Sequence, residues 1–185
     1  MNTTLTSTLR VYADDDGSAA LVDTTDRAEI ARILGAQGVI FERWEADAPL
    51  TAESDSDSIL AAYASDIQRL KDAHGYTTAD VIRVTPATPN VPALREKFLN
   101  EHTHSEDEVR FFVEGGASFY LRMNGKVYQT ICTRGDLISV PAGTTHWYDM
   151  GPDPEFCAIR FFQNQEGWTP HYTGDAIADR FPKYE

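Results

Sequence analysis

The sequence predicts a mainly β fold with α elements near the N-terminus, most simply a small barrel or jelly roll. Three observations predict it. Short runs rich in β-branched and aromatic residues, separated by turn signals, fill the chain after residue 100. Helical periodicity is confined to the first hundred residues. With 185 residues, of which 42% are apolar and 11% aromatic, the chain suits one domain able to bury a core without disulfide or metal staples.

Element by element, Ser7 to Ala13 alternates enough for a strand. Asp26 to Leu34 reads as a short helix, with Ile30, Ile33 and Leu34 on one face, Asp26 and Glu29 as a capping box and Gly35 as C-cap. Val39 to Trp44 reads as a strand between Gly38 and Pro49. The acidic run Glu53 to Ser58 reads as a helix start, where Asp and Ser cap amides and favour the positive dipole end, in preference to a metal-binding or phosphorylated tract. Ile59, Leu60, Tyr63, Ile67 and Leu70 then continue one helical stripe that His74-Gly75 ends. Pro86, Pro89 and Pro92 mark a loop, and a short helix follows around Ala93 to Leu99. Ala117 to Met123 and Lys126 to Cys132 flank Asn124-Gly125, a strong hairpin signal because both residues tolerate positive φ. Asp136 to Val140, Thr145 to Tyr148 and Phe156 to Phe162 complete the strands. The whole reads as a single domain, 1–185, with an N-terminal α/β elaboration over 1–95 and a barrel over about 96–165.

Charge removes several function classes. Sixteen basic against 29 acidic residues leave a net charge of −13, unsuited to phosphate backbones or anionic membranes. No run approaches the ~20 apolar residues of a membrane span, and the N-terminal segment lacks the charged and apolar regions of a secretory leader, so a cytoplasmic protein is expected. Cys132 and Cys157 match no zinc spacing and are expected as reduced, buried thiols.

The chemistry concentrates in His102-Thr103-His104-Ser105-Glu106-Asp107-Glu108, an H-x-H-x3-E pattern. On a strand without a bulge, His102, His104, Glu108 and Arg110 share one face. His146 follows Pro141-Ala142-Gly143 at a distance that suits an antiparallel neighbour. Three imidazoles and a carboxylate suit iron, nickel, manganese, cobalt or zinc, and leave two positions of an octahedral ion open. The absence of thiolates argues against a closed structural zinc site.

The spacing extends further. Glu108 is followed by Gly115, and Gly135, Pro141, Gly143 and His146 form a second block, so the chain resembles the two cupin motifs, with Met150 where the second motif usually ends in Asn. Cupins are double-stranded β-helix barrels with the metal inside. Within them the chain resembles the acireductone dioxygenases of methionine salvage. The matching stretches are Lys97-Phe98, Glu101 to Gly115, Leu137 to Tyr148, Ile159 to Phe162, Gly167-Trp168 and Thr173 to Pro182.

The resemblance implies an enzyme that cleaves a methylthio-bearing acireductone with O2, one Fe(II) or Ni(II) per monomer. Iron would give the methylthio 2-keto acid and formate; nickel would give methylthiopropanoate, formate and carbon monoxide. His102, His104, Glu108 and His146 are the expected ligands. Arg110 and Arg160 are expected to offset the substrate's negative charge, with a structural pairing of Arg160 to Glu101, Glu108 or Asp149 left open. Glu101 is the candidate base, or an acceptor that orients His102. Phe98, Tyr148 and Trp168 match the wall expected around the methylthioalkyl tail, with plain core packing as the alternative. The expected partners are a small-molecule acireductone and O2, with no nucleic acid and no membrane; a monomer is expected and a dimer stays open. Two other readings remain at this point: another three-His-one-Glu cupin oxidase or isomerase, or a non-enzymatic metal-bearing binding cupin.

Overall fold

The computed structural model of the chain describes residues 5–185; the first four residues, part of the segment read for a leader, lie outside the described residues. In order the elements are β1 (Thr8–Ala13), β2 (Val22–Thr24), α1 (Arg27–Gly35), β3 (Ile40–Arg43), α2 (Ser56–Ala62), α3 (Ala64–His74), β4 (Thr78–Val84) and α4 (Val91–Leu99). They continue with β5 (His102–Thr103), β6 (Glu108–Met123), β7 (Lys126–Thr133), β8 (Asp136–Val140), β9 (Thr145–Asp149), β10 (Phe156–Phe162) and β11 (His171–Tyr172). The fold is mainly β with N-terminal helices, as predicted.

Strand β6 belongs to two sheets. One runs β11-β5-β9-β6-β7-β1-β2. The other runs β4-β10-β6-β8-β3 through the pairings of β6 with β8 and β10. The first half of β6 serves the second sheet, and its later half, from Gly116, serves the first. The crossing point is Gly115-Gly116. Gly115 has φ +65, and a Cβ there would stand 1.9 Å from the Glu155 carbonyl oxygen; one on Gly116 would stand 2.3 Å from that of Cys132. Only glycine lets the neighbouring backbones approach this closely.

The register shift between Cys157 and Ala158 lies beside this bend. A shift of one residue exchanges the faces of a strand. Before it, Phe112 packs in the largest buried cluster, while Val109, Phe111 and Val113 face another built on α2 and α3. After it, Ala117, Phe119 and Leu121 join Phe112, and Tyr120 turns out toward Trp147 and Phe181. The even positions Glu108 and Arg110 are thereby on the same side as Phe112.

Helices α1, α2 and α3 cover the second sheet, and α4 packs on β9 of the first. Trp44 stacks on Phe111 at 4.9 Å, and Tyr63 meets the same ring at 4.6 Å. Asp26 caps α1 by accepting from the Glu29 amide at 3.0 Å. The capping box is not reciprocal, since the Glu29 carboxylate accepts from Thr24 Oγ1 at 2.7 Å instead. Asp55 caps α2 through the Ser58 amide at 2.8 Å, which explains the acidic run as a helix start. The hairpin at Asn124-Gly125 has φ +52 and +73, as its sequence predicts.

Three elements differ from expectation, and β4 is not anticipated by the sequence reading, each for an identifiable reason. The helical stripe from Ile59 to Leu70 is broken at Tyr63, whose φ of −119° leaves the helix where its ring docks on Phe111. Helix α1 runs through Gly35, and the left-handed turn is taken by Gly38 at φ +81. Strand β4 has no polar alternation, because one face lines a cavity and the other meets α2. Strand β6 starts at Glu108, well before Ala117, since Gly115-Gly116 bends it without ending it. Strands β1, β3 and β4 extend the two sheets by pairing with β7, β8 and β10. Cys132 and Cys157 are both free and buried.

Candidate metal centre

Three strands and a tight loop bring His102, His104, Glu108 and His146 together. All four are buried, and one ligand atom from each lies within 4.8 Å of the others. His102 and His146 are register partners across β5 and β9, and His146 also faces Leu121 of β6. The H-x-H-x3-E run is not one continuous strand. It breaks after Thr103, and the Pro141-Ala142-Gly143 loop braces the break: Gly143 N donates to the His104 carbonyl at 3.0 Å, and Ala142 N to Asp107 Oδ1 at 2.9 Å. Tyr76 donates to the other Asp107 oxygen at 2.8 Å.

Each imidazole is fixed by a backbone carbonyl. His102 Nδ1 lies 2.6 Å from Asn100 O, His104 Nδ1 3.2 Å from Thr169 O, and His146 Nδ1 2.7 Å from Thr144 O. A carbonyl only accepts, so each Nδ1 carries a proton, which leaves Nε2 as the nitrogen able to bind a metal. The three Nε2 atoms converge on Glu108. His146 Nε2 is 2.8 Å from Glu108 Oε2, and His104 Nε2 is 3.1 Å from it but off the line of a hydrogen bond. His102 Nε2 has no hydrogen-bond partner among the described residues.

Burial holds the His102 pKa down to about 4, so this imidazole is neutral at pH 7. Burial alone would raise the Glu108 carboxyl, but His104, His146 and Arg110 outweigh it and hold it well below the usual range. A buried carboxylate among three imidazole Nε2 atoms is a donor set suited to a cation. The donor set fits a divalent metal.

Arg110 joins this cluster to a cavity. Its Nε donates to Glu108 Oε1 at 3.1 Å, and its guanidinium carbon lies 4.4 Å from the Tyr148 ring centre and 5.0 Å from that of Trp168. The cavity beside it has a volume of about 360 Å3 and is lined by Asp80, Phe98, Arg110, Arg160, Phe162 and Trp168, with Met150 among its apolar walls. Among the described residues the cavity reaches the cluster only through Arg110; two further grooves, about 820 Å3 beside Trp44–Leu50 and about 520 Å3 behind Met150, contain neither Arg110 nor any of the four clustered residues. A strap from Gln165 to Thr169 closes over the site: Trp168 Nε1 donates to the Asp107 carbonyl at 3.2 Å, and Glu106 accepts from the amides of Gln163 and Asn164.

Three of the expected residues have partners other than those expected. Glu101 turns away from the cluster. Its carboxylate accepts from Thr173 Oγ1 at 2.7 Å and from Arg122 at 3.3 Å, and His102 is oriented by Asn100 instead. The out-of-phase position of Glu101 is the reason. Arg160 pairs with none of Glu101, Glu108 or Asp149. It is half-buried at the cavity and holds Asp80, at 2.9 and 2.7 Å, because β4 supplies the neighbouring strand. Asp149 is taken by Arg95. Tyr148 lies behind Arg110, its hydroxyl buried and without a hydrogen-bond partner among the described residues. Phe98 and Trp168 do line the cavity.

Sequence reasoning missed Asp80, Asp107 and Thr169. The β-branched run Val81, Ile82, Val84 was a signal for the first. The Asp107 and Thr169 contacts span 35 and 65 residues and leave no local trace.

The sequence profile of the ARD/ARD' family matches residues 8–170. The chain is 57% identical over 177 residues to the acireductone dioxygenase of Parvibaculum lavamentivorans, covering 96% of each chain. It is 53% identical over 179 residues to that of Hahella chejuensis, covering 97% of this chain and 96% of the relative. Among solved structures, it is similar to the Bacillus anthracis acireductone dioxygenase with a cadmium ion in its active centre. That likeness has a TM-score of 0.80 and 30% identity, and covers 90% of this chain and 98% of the other.

Proposed function

The chain belongs to the ARD/ARD' family, and from that premise we propose how its residues divide the cleavage of an acireductone by O2. It is a metal-dependent dioxygenase on a cupin fold. The observation that carries the reading is the buried cluster of three tautomer-fixed imidazoles around Glu108, one arginine away from a cavity of small-molecule size.

His102, His104, Glu108 and His146 would hold iron(II) or nickel(II), one per chain. When bound, the metal supplies the Lewis-acid or redox chemistry that lets an enediol anion meet O2. The protein's own share is electrostatic. Arg110 and Arg160 face the cavity and offset the negative charge of the bound enediol and of the charge that develops as it reacts. Trp168, against both guanidiniums, helps hold them in place. Phe98 and Trp168 receive the methylthioalkyl tail, and Tyr148 supports Arg110 from behind. Glu101, tied to Thr173 and Arg122, anchors the segment after β11 and takes no proton from substrate. With iron held there the products would be the 2-keto acid and formate, and with nickel methylthiopropanoate, formate and carbon monoxide. The enzyme works as a cytoplasmic monomer.

The test is anaerobic reconstitution of metal-free protein with Fe(II) and, separately, Ni(II), then addition of a synthetic acireductone and O2. The expected products are formate with 2-keto acid from iron and carbon monoxide from nickel. The same products from both metals would refute metal-selected chemistry, and no O2 uptake above the buffer rate would refute the assignment of reaction to this site.

A further inference from the structure

Arg110, Arg160 and Asp80 stand at one level of three neighbouring strands. Arg160 on β10 is the register partner of Arg110 on β6 and of Asp80 on β4. Directly opposed residues of antiparallel strands put their side chains on the same face, and all three line the cavity. Two arginines so placed repel each other.

Each has its own carboxylate, and the two carboxylates are not equivalent. Glu108, the partner of Arg110, also faces the imidazoles. Asp80 is committed to Arg160 alone: Nε donates to Oδ1 at 2.9 Å and Nη2 to Oδ2 at 2.7 Å. This fork uses one edge of a planar group that has five donors. The other edge, with Nη1, has no hydrogen bond among the described residues. Phe162 and Trp168, with ring centres 5.2 and 5.9 Å from the guanidinium carbon, limit how far the plane can swing.

We propose that Asp80 is a positioning residue for acireductone cleavage: it grips Arg160 by one edge so that the opposite edge meets the substrate's negative charge. The inference rests on the dioxygenase reading above. Asp80 also cancels one of two adjacent positive charges, which keeps Arg160 from being driven out toward solvent by Arg110. A merely structural ion pair this exposed, with side chains 28% and 37% accessible, would contribute little. The two roles therefore separate by experiment.

Asp80→Ala, Asp80→Asn and Asp80→Glu are made in the parent and in an Arg160→Ala background, and loaded with iron(II). Metal content, Tm, kcat and KM for O2 uptake are measured, with calorimetric titration of acireductone under anaerobic conditions. Asp80→Ala is expected to lower kcat about tenfold, more than it changes KM, with metal content and Tm unchanged. Asp80→Glu recovers part of the loss and Asp80→Asn does not. In the Arg160→Ala background, Asp80→Ala has no further effect. A kcat and an anaerobic Kd within twofold of the parent would overturn the proposal, as would an equal loss in the Arg160→Ala background. If the parent itself takes up no O2, the dioxygenase reading fails separately. The coupling is then decided by anaerobic titration, where additive effects of Asp80→Ala and Arg160→Ala refute it.

Discussion

Glu108 divides its two carboxylate oxygens between opposite neighbours: Oε1 accepts from Arg110, two positions along the same strand, and Oε2 faces His104 and His146. One residue therefore links the metal cluster to the substrate cavity.

Arg110→Ala is expected to cut turnover about a hundredfold or more, because it removes a buried cation aimed where negative charge gathers. The four ligand side chains remain, so bound metal should match the parent. Arg110→Lys restores part of the rate by returning the charge without the Nε donor. Oxygen uptake and metal analysis on the same samples check this; parallel loss of metal would assign Arg110 to the ligand cluster instead of the reaction.

His102→Ala and His146→Ala should each lower bound metal sharply and abolish turnover. Metal binding adds to folding stability, so their Tm should approach that of chelator-treated parent. Full metal occupancy in both variants would mean that the ligands lie elsewhere.

Gly115→Ala should destabilise the protein by about 3 kcal/mol or more, since backbone strain and an unrelieved clash act together. The added Cβ would strike the Glu155 carbonyl at a left-handed φ. Soluble yield and urea denaturation report this, and a parent-like Tm would show that the bend in β6 has more freedom than its geometry implies.

Asp149→Ala should cost about 2–3 kcal/mol, toward the low end for a broken buried ion pair because Arg95 keeps some solvent contact. Asp149 also accepts from the Tyr184 amide at 3.0 Å, so the C-terminal residues should become sensitive to limited proteolysis. Unchanged cleavage at the C-terminus would place its anchoring elsewhere.

The barrel strands and the four clustered side chains were legible because their signals are local: alternation, Asn124-Gly125, and the spacing of His102, His104 and Glu108. The parity argument reached the residues that cluster, but for a partly wrong reason, since the run is broken after Thr103 and Pro141-Ala142-Gly143 braces it. What stayed hidden depends on contacts between distant segments. The carboxylate on Arg160 comes from a strand 80 residues earlier, which no local pattern discloses. The break at Tyr63 is likewise set by a ring on another strand, against a helical periodicity that runs straight through it.

The carbonyl that fixes the His104 ring belongs to Thr169, 65 residues downstream. During synthesis the ligand side chains of β5, β6 and β9 all leave the ribosome before it does. A nascent chain ending at residue 160 thus carries every metal-binding group but lacks the acceptor that selects the His104 proton isomer. Metal capture at full affinity is therefore expected only once the segment through Thr169 has been made, and not at the emergence of the clustered side chains.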